Sequence, residues 1–191
     1  MKEDLTKFII ESAKSTEGCQ RNWDYDYTIP QDHIDTIVTT AITMPTKQNL
    51  EFYSLVVSTD RDFNYNFYLR TFKDEIGFPN QGRNAQTNAP LLLLWFKNQE
   101  IQGGSGINIG VSAGATALVA NMLGYKTGFC CCMEDKISSM LKKKGIYTKR
   151  ITLALGVGMP DSTMPDRNFV KFPDKVKAFE KRIKNIKIYT I

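Results

Sequence analysis

The sequence predicts an α/β fold in which a central sheet is flanked by helices. Three observations predict it. Short apolar runs rich in leucine or β-branched residues alternate with segments of helical spacing, the pattern of a sheet layer covered by helices. The longest strongly apolar run, Leu91 to Phe96, suits a buried strand and falls far short of the about 20 residues a membrane helix needs. No internal repeat or low-complexity segment interrupts the alternation, so residues 1–191 are expected to form one domain.

The elements follow in order. Leu5, Phe8, Ile9 and the pair Ser12–Ala13 point to a short first helix, and a polar stretch from Ser15 to Thr28 follows, holding Gly18 and an isolated Trp23. Pro30 and Asp32 mark a helix start, because proline is tolerated in a first turn and an acid there suits the helix dipole. Ile34, Ile37, Val38, Ala41 and Ile42 lie on one helical face, and Pro45 ends it. Tyr53 to Ser58 reads as a strand, and Tyr65, Tyr68, Leu69, Phe72 and Ile76 as a helix broken by Gly77, Pro79 and Gly82. Leu91 to Phe96 is the clearest strand. Gly103 to Gly106 make a loop, Ile107 to Leu123 a long helix of small residues, and Gly124 its C′ residue. Lys126 to Met133 reads as a strand, Asp135 to Lys144 as a helix stopped by Gly145, and Ile151 to Val157 as a further strand. Pro173 to Asn185 is an amphipathic helix, and Ile186 to Ile191 is strand-like.

Composition excludes several classes of function. With 191 residues, the chain can bury roughly 70% of its unfolded surface and needs no disulfide or metal staple. The net charge of +5 is concentrated at Lys142–Lys144, Lys149 and Arg150, and again between Lys171 and Lys187. No aromatic residues interleave with these lysines, so a solvated helix face is expected rather than a nucleic-acid surface. Met1-Lys2-Glu3-Asp4 is followed by no apolar stretch, so a cytoplasmic location is expected. The cysteines are Cys19, Cys130, Cys131 and Cys132; they contain no Cys-x-x-Cys pair, and His33 lies far from them, so no metal site is expected. On a strand, three adjacent cysteines alternate faces and act as small buried hydrophobes. There is no phosphate-binding Gly-x-x-x-x-Gly-Lys-Ser/Thr loop, and Gly156-Val157-Gly158 reads as a turn after a strand. The lone His33 reads as a solvated surface residue in a first helical turn. An α/β core without an acid–base constellation points to chemistry supplied by a cofactor.

Several segments then form an ordered set: Arg21-Asn22-Trp23 before Ile29-Pro30, Pro45-Thr46-Lys47-Gln48-Asn49 leading into a strand, Asn80-Gln81 before Ala89-Pro90, the small-residue helix ending Leu123-Gly124-Tyr125, the strand Thr127 to Cys132, Gly156 to Pro160, and Arg167 with Lys171. Their order along nearly the whole chain resembles the nitroreductase-type flavoprotein superfamily. The resemblance implies an α+β nitroreductase-like fold and an FMN-dependent homodimer, with the flavin in a cleft between subunits. It implies reduction by NAD(P)H and hydride transfer through flavin N5 to a small electrophile of nitroaromatic or quinone type. The implied cofactor-binding residues are Cys19, Arg21, Thr46, Asn49, Asn80, Gln81, Cys131, Cys132, Arg167 and Lys171. Arg21 and Arg167, with Lys171 behind them, suit the phosphate dianion. Asn49 and Asn80 or Gln81 suit the polar edge of the flavin ring, Arg21 also suits its N1/O2 side, and the cysteine strand lies along the ring. No catalytic side chain is implied.

The chain departs from the family pattern at Glu17-Gly18-Cys19, where the family has Arg-Arg/His-Ser, at Glu51 in place of glutamine and at Thr46 in place of serine. Two other readings therefore stand beside the first: a flavin-binding family member without turnover, and an interaction protein using its basic surface. Gly110, Ala113, Gly114, Ala117 and Ala120 are expected to form the smooth dimer stripe of the long helix, and Ile186 to Ile191 to pair with the partner's sheet.

Overall fold

The leucine run organises the molecule. In the computed structural model, which describes residues 2–16, 19–71, 84–98, 104–131, 137–146 and 151–162, that run lies in β2 (Leu91–Lys97). β2 pairs with β1 (Tyr53–Ser58) on one side and with β4 (Ile151–Gly158) on the other, and β3 (Lys126–Cys130) lies beyond β4. Every pair is antiparallel: Leu55 faces Trp95, Leu93 faces Leu155, and Thr127 faces Val157.

The run is apolar throughout because both faces of β2 are covered. Leu91, Leu93 and Trp95 pack with Leu155 and Val157 beneath α2 (Gln31–Thr43) and α4 (Ser105–Met122). Leu92 and Leu94 face the other way, toward Phe63 and Phe67 of α3 (Arg61–Tyr68) and Leu141 of α5 (Ile137–Lys143). Each such burial contributes about 1.5–3 kcal/mol. α1 (Lys2–Ser15) lies along α4. Helices on both faces of an antiparallel sheet make this the α+β form of the expected architecture.

A polar chain crosses the first of these layers. Ala41 lies four residues before Pro45, which has no N–H, so the Ala41 carbonyl lacks its usual helical partner. It accepts instead from Tyr53 OH at 2.7 Å and from Ser112 Oγ at 2.6 Å. Ser112 Oγ in turn accepts from Trp95 Nε1 at 2.9 Å. One carbonyl thus ties α2, α4, β1 and β2 together.

Both expected glycine stops hold, for one reason. Gly124 (φ +91°) and Gly145 (φ +76°) take left-handed backbone, which suits a residue without Cβ. Tyr125 N donates to Ala120 O and Gly124 N to Asn121 O, and Ile146 N to Leu141 O and Gly145 N to Lys142 O. Each is the paired 6→1 and 5→2 closure of a helix end.

Other expectations are corrected. α3 begins earlier than its periodicity implied, because Asp60 caps it by accepting from Phe63 N at 3.0 Å. Its buried face is Phe63, Asn64 and Phe67, while Tyr65 and Leu69 are exposed; Phe72 and Ile76 lie outside the described residues. In α1 the side chain buried among the core is Ser12, and Leu5, Phe8 and Ile9 are exposed. Gly156-Val157-Gly158 is strand, not turn. The small residues of α4 divide between two faces: Ala113, Ala117 and Ala120 are buried in the core, so they are not the exposed stripe expected, while Gly110 and Gly114 are exposed. The segments 173–185 and 186–191 lie outside the described residues. Among those described, no helix is long and apolar enough to cross a membrane.

The Ala41 bolt is testable. Ser112→Ala leaves Trp95 Nε1 without its acceptor and removes one donor to Ala41 O, so unfolding free energy falls by about 1–3 kcal/mol. Urea unfolding should show a lower midpoint at unchanged slope. An unchanged midpoint would show that the chain carries no weight in stability.

Candidate functional site

From Cys19 on, the polar stretch that follows α1 is packed against the edge of β3. Gln20 N donates to Thr127 O at 2.8 Å, and Cys19 Sγ donates to Phe129 O at 3.4 Å. Further along, Asp24 N donates to Met159 O and Trp23 bridges Pro160. Trp23 is 3% exposed, and its Nε1 donates to Ala85 O at 3.0 Å. The isolated tryptophan is therefore the anchor of this segment.

Three glycines make the packing feasible. A Cβ on Gly128 would land on Gln20 O and 2.6 Å from Gln86 Cβ. One on Gly156 would land on Gln86 O, and one on Gly158 would sit 2.7 Å from Pro90 Cδ. The segments 19–24 and 84–90 thus lie directly on sheet backbone. Between them are polar side chains. Gln86 Nε2 donates to Phe129 O at 3.2 Å, while Gln86 Oε1 and Asn22 Nδ2 are buried with no hydrogen-bond partner among the described residues. A buried donor and acceptor left this way cost free energy unless a further group meets them. Arg21, half-buried, stands between Gln20 and Asn22, and Cys131 is exposed one residue beyond β3. Cys19, Arg21 and Cys131 therefore share one edge of the sheet. β3 ends at Cys130, which is buried, and Cys131 beyond it is exposed, so Cys131 is neither on the strand nor the buried hydrophobe expected.

Thr46 and Asn49 lie elsewhere, in the tight turn that precedes β1. Thr46 Oγ1 donates to Leu50 O at 2.9 Å, and Asn49 N donates to Thr46 O at 3.1 Å. Gln48 and Asn49 both have left-handed backbone, φ +57° and +56°. Lys47 N donates to Asn108 Oδ1 of α4 at 3.1 Å. Among the described residues, β1 and β3 are the two outer strands, three strand spacings or roughly 14 Å apart. The structure thus sets Cys19, Arg21 and Cys131 along the β3 edge, with Arg21 toward its Thr127 end and Cys131 past Cys130, and places Thr46 and Asn49 at the opposite edge. Asn80, Gln81, Cys132, Arg167 and Lys171 lie outside the described residues.

Sequence reading missed Asn22, Gln86 and Asn108, whose roles depend on backbone that reaches them from distant segments. It also placed His33 in solvent. His33 Nδ1 lies 2.7 Å from Tyr125 OH, with the rings edge to face at 5.7 Å. Burial, with Tyr27 adjoining, pushes the Tyr125 phenol well above its ordinary range. The far face of the sheet carries an open cleft of about 390 Å³ between α3 and α5, walled by Asp60, Asp62, Arg70, Lys143 and Lys144. There the Phe63 N–H, and secondarily Lys144 at 3.4 Å, hold the Asp60 carboxyl below the usual range. Lys142, Lys143 and Lys144 form the solvated face expected of them.

No protein-family model matches the chain, and no curated protein matches its sequence significantly. Solved structures do match. A nitroreductase family protein from Clostridium novyi NT superposes with TM-score 0.67 at 18% identity, over 83% of this chain and 88% of that one. A nitroreductase with bound FMN from Bacteroides fragilis NCTC 9343 gives TM-score 0.65 at 14% identity, over 80% and 88%. A nitroreductase with bound FMN from Desulfitobacterium hafniense DCB-2 gives 0.67 at 15%, over 87% and 98%. The fold of this chain is the nitroreductase fold.

Proposed function

We propose that the chain is an FMN-dependent oxidoreductase that uses NAD(P)H to reduce a small electrophile of nitroaromatic or quinone type. We further propose that it works in the cytoplasm as a homodimer with the flavin between subunits. The observation that carries this reading is the nitroreductase fold, shared over most of both chains with structures that hold FMN.

The residues present fit the cofactor. The edge at β3 combines a guanidinium at Arg21 with a buried Asn22 amide donor that has no acceptor among the described residues. At the opposite edge the Thr46 hydroxyl already donates to Leu50 O, so it would act as an acceptor toward a ligand. The Asn49 side chain is exposed and makes no hydrogen bond among the described residues, so it offers both donor and acceptor. Bound FMN would supply the hydride chemistry, at N5. Arg21 would hold the phosphate dianion, Thr46 and Asn49 would orient the polar edge of the ring, and the small side chain at Cys131 would leave room for it along β3. The protein's contribution is alignment of the reactants and exclusion of water. In the proposed dimer, the β3 edge of one copy and the β1 edge of the other would face one cofactor.

The outer face of α4 supports that meeting. Gly106, Gly110 and Gly114 are exposed and a Cβ on any of them meets nothing within 4 Å. Ile107 and Val111 beside them are 69% and 44% exposed. A narrow glycine stripe flanked by exposed aliphatic side chains lets a second helix approach closely.

Three outcomes test the proposal. The protein dialysed against FMN should retain about one flavin per subunit, and anaerobic NADPH or NADH should bleach its yellow colour. No retained flavin at micromolar protein would overturn the reading, and retained flavin that neither nucleotide bleaches would leave a binding protein without turnover. Arg21→Ala should weaken FMN by about 1.5–3 kcal/mol and leave riboflavin nearly unaffected; equal losses would remove the phosphate role from Arg21. Gly114→Leu should keep the protomer folded, since its surroundings are open and leucine favours helix by about 1 kcal/mol over glycine, yet it should split the dimer and release FMN. Light scattering and flavin absorbance read both, and a monomeric wild type or an unaffected mutant would contradict the interface.

A further inference from the structure

The turn before β1 holds two adjacent non-glycine residues, Gln48 and Asn49, at positive φ. Such backbone is costly for L side chains and persists where the surroundings over-determine it. Inside the turn, Asn49 N donates to Thr46 O, Leu50 N donates to Lys47 O at 3.3 Å, and Thr46 Oγ1 donates to Leu50 O. These bonds close the turn on itself but do not fix it to the rest of the molecule.

The first turn of α4 does that. Asn108 is 6% exposed. Its Nδ2 donates to Gly104 O at 2.6 Å, which sets the amide plane and leaves Oδ1 aimed at Lys47 N. Gly104 in turn gives room for the buried Phe52 ring, since a Cβ there would sit 2.9 Å from Phe52 Cε1. The segment from Thr46 to Phe52 is thereby gripped at both ends by one helical turn, at Lys47 by a hydrogen bond and at Phe52 by packing.

We infer that Asn108 is a positioning residue for the flavin site: its side-chain amide holds the 46–50 turn in the left-handed conformation that presents Thr46 and Asn49. This deepens the flavin reading and rests on it for its functional consequence. Asn108 itself would not touch the cofactor, because both ends of its amide are already engaged within the protein. Asn108→Leu removes both hydrogen bonds while keeping the branched shape of the side chain, and Asn108→Ala removes them with loss of volume.

The experiment pairs amide hydrogen exchange on the flavin-free protein with FMN titration. Loss of the tether should raise exchange at Lys47 and Asn49 by about tenfold in Asn108→Leu and Asn108→Ala. FMN should weaken by about tenfold in the same two variants. Unchanged exchange in either folded variant overturns the inference. If one of the two does not fold, the other decides. A wild type that binds no FMN while Asn108→Leu still unlocks the turn would refute the flavin reading and leave the tether standing.

Discussion

The structure depends on one carbonyl. Ala41 O cannot close its helical bond because Pro45 has no N–H, and the fold turns that vacancy into a junction for Tyr53, Ser112 and, through Ser112, Trp95. Apolar packing between α2, α4 and the sheet is non-directional and would tolerate sliding. The hydrogen bonds at Ala41 fix the register. They set where α4 starts relative to β1, and hence where Asn108 meets Lys47.

Two other constraints place the site. At Gly128, Gly156 and Gly158 the sheet presents bare backbone, which admits the 19–24 and 84–90 segments at distances a side chain would forbid. That approach builds the β3 edge with Arg21, Asn22 and Cys131. At the far edge, the first turn of α4 shapes the Thr46–Asn49 turn. The sheet keeps the two groups apart, and the proposed dimer would join them across the exposed glycines of α4.

Much of the scaffold was legible in the sequence, for local reasons. Strand runs such as Tyr53–Ser58 and Leu91–Phe96, and helix ends at Pro45, Gly124 and Gly145, are governed by composition and backbone sterics within a few residues. Where tertiary contact decides, the reading failed. Trp23 looked isolated because its partners, Ala85 and Pro160, are distant in sequence. Gly156-Val157-Gly158 looked like a turn because glycine serves both turns and close approach. The spacing of Gly110, Ala113, Gly114, Ala117 and Ala120 could not say which small residues face the core. The order of motifs pointed to the right fold, while the buried amide of Asn22 and the clamp at Asn108 became visible only in three dimensions.

The central claim is that one flavin is held by the β3 edge of one subunit and the β1 edge of its partner. Subunit mixing tests it most directly. Arg21→Ala and Asn49→Ala each impair every site in their own homodimer. When the two are unfolded together and refolded as a mixture, half of the dimers are hybrids, and each hybrid carries one intact site. About a quarter of all sites should then bind FMN with wild-type affinity. A mixture that binds no more FMN than the average of the two variants alone would contradict the account, because it would place both residues in the same subunit's site.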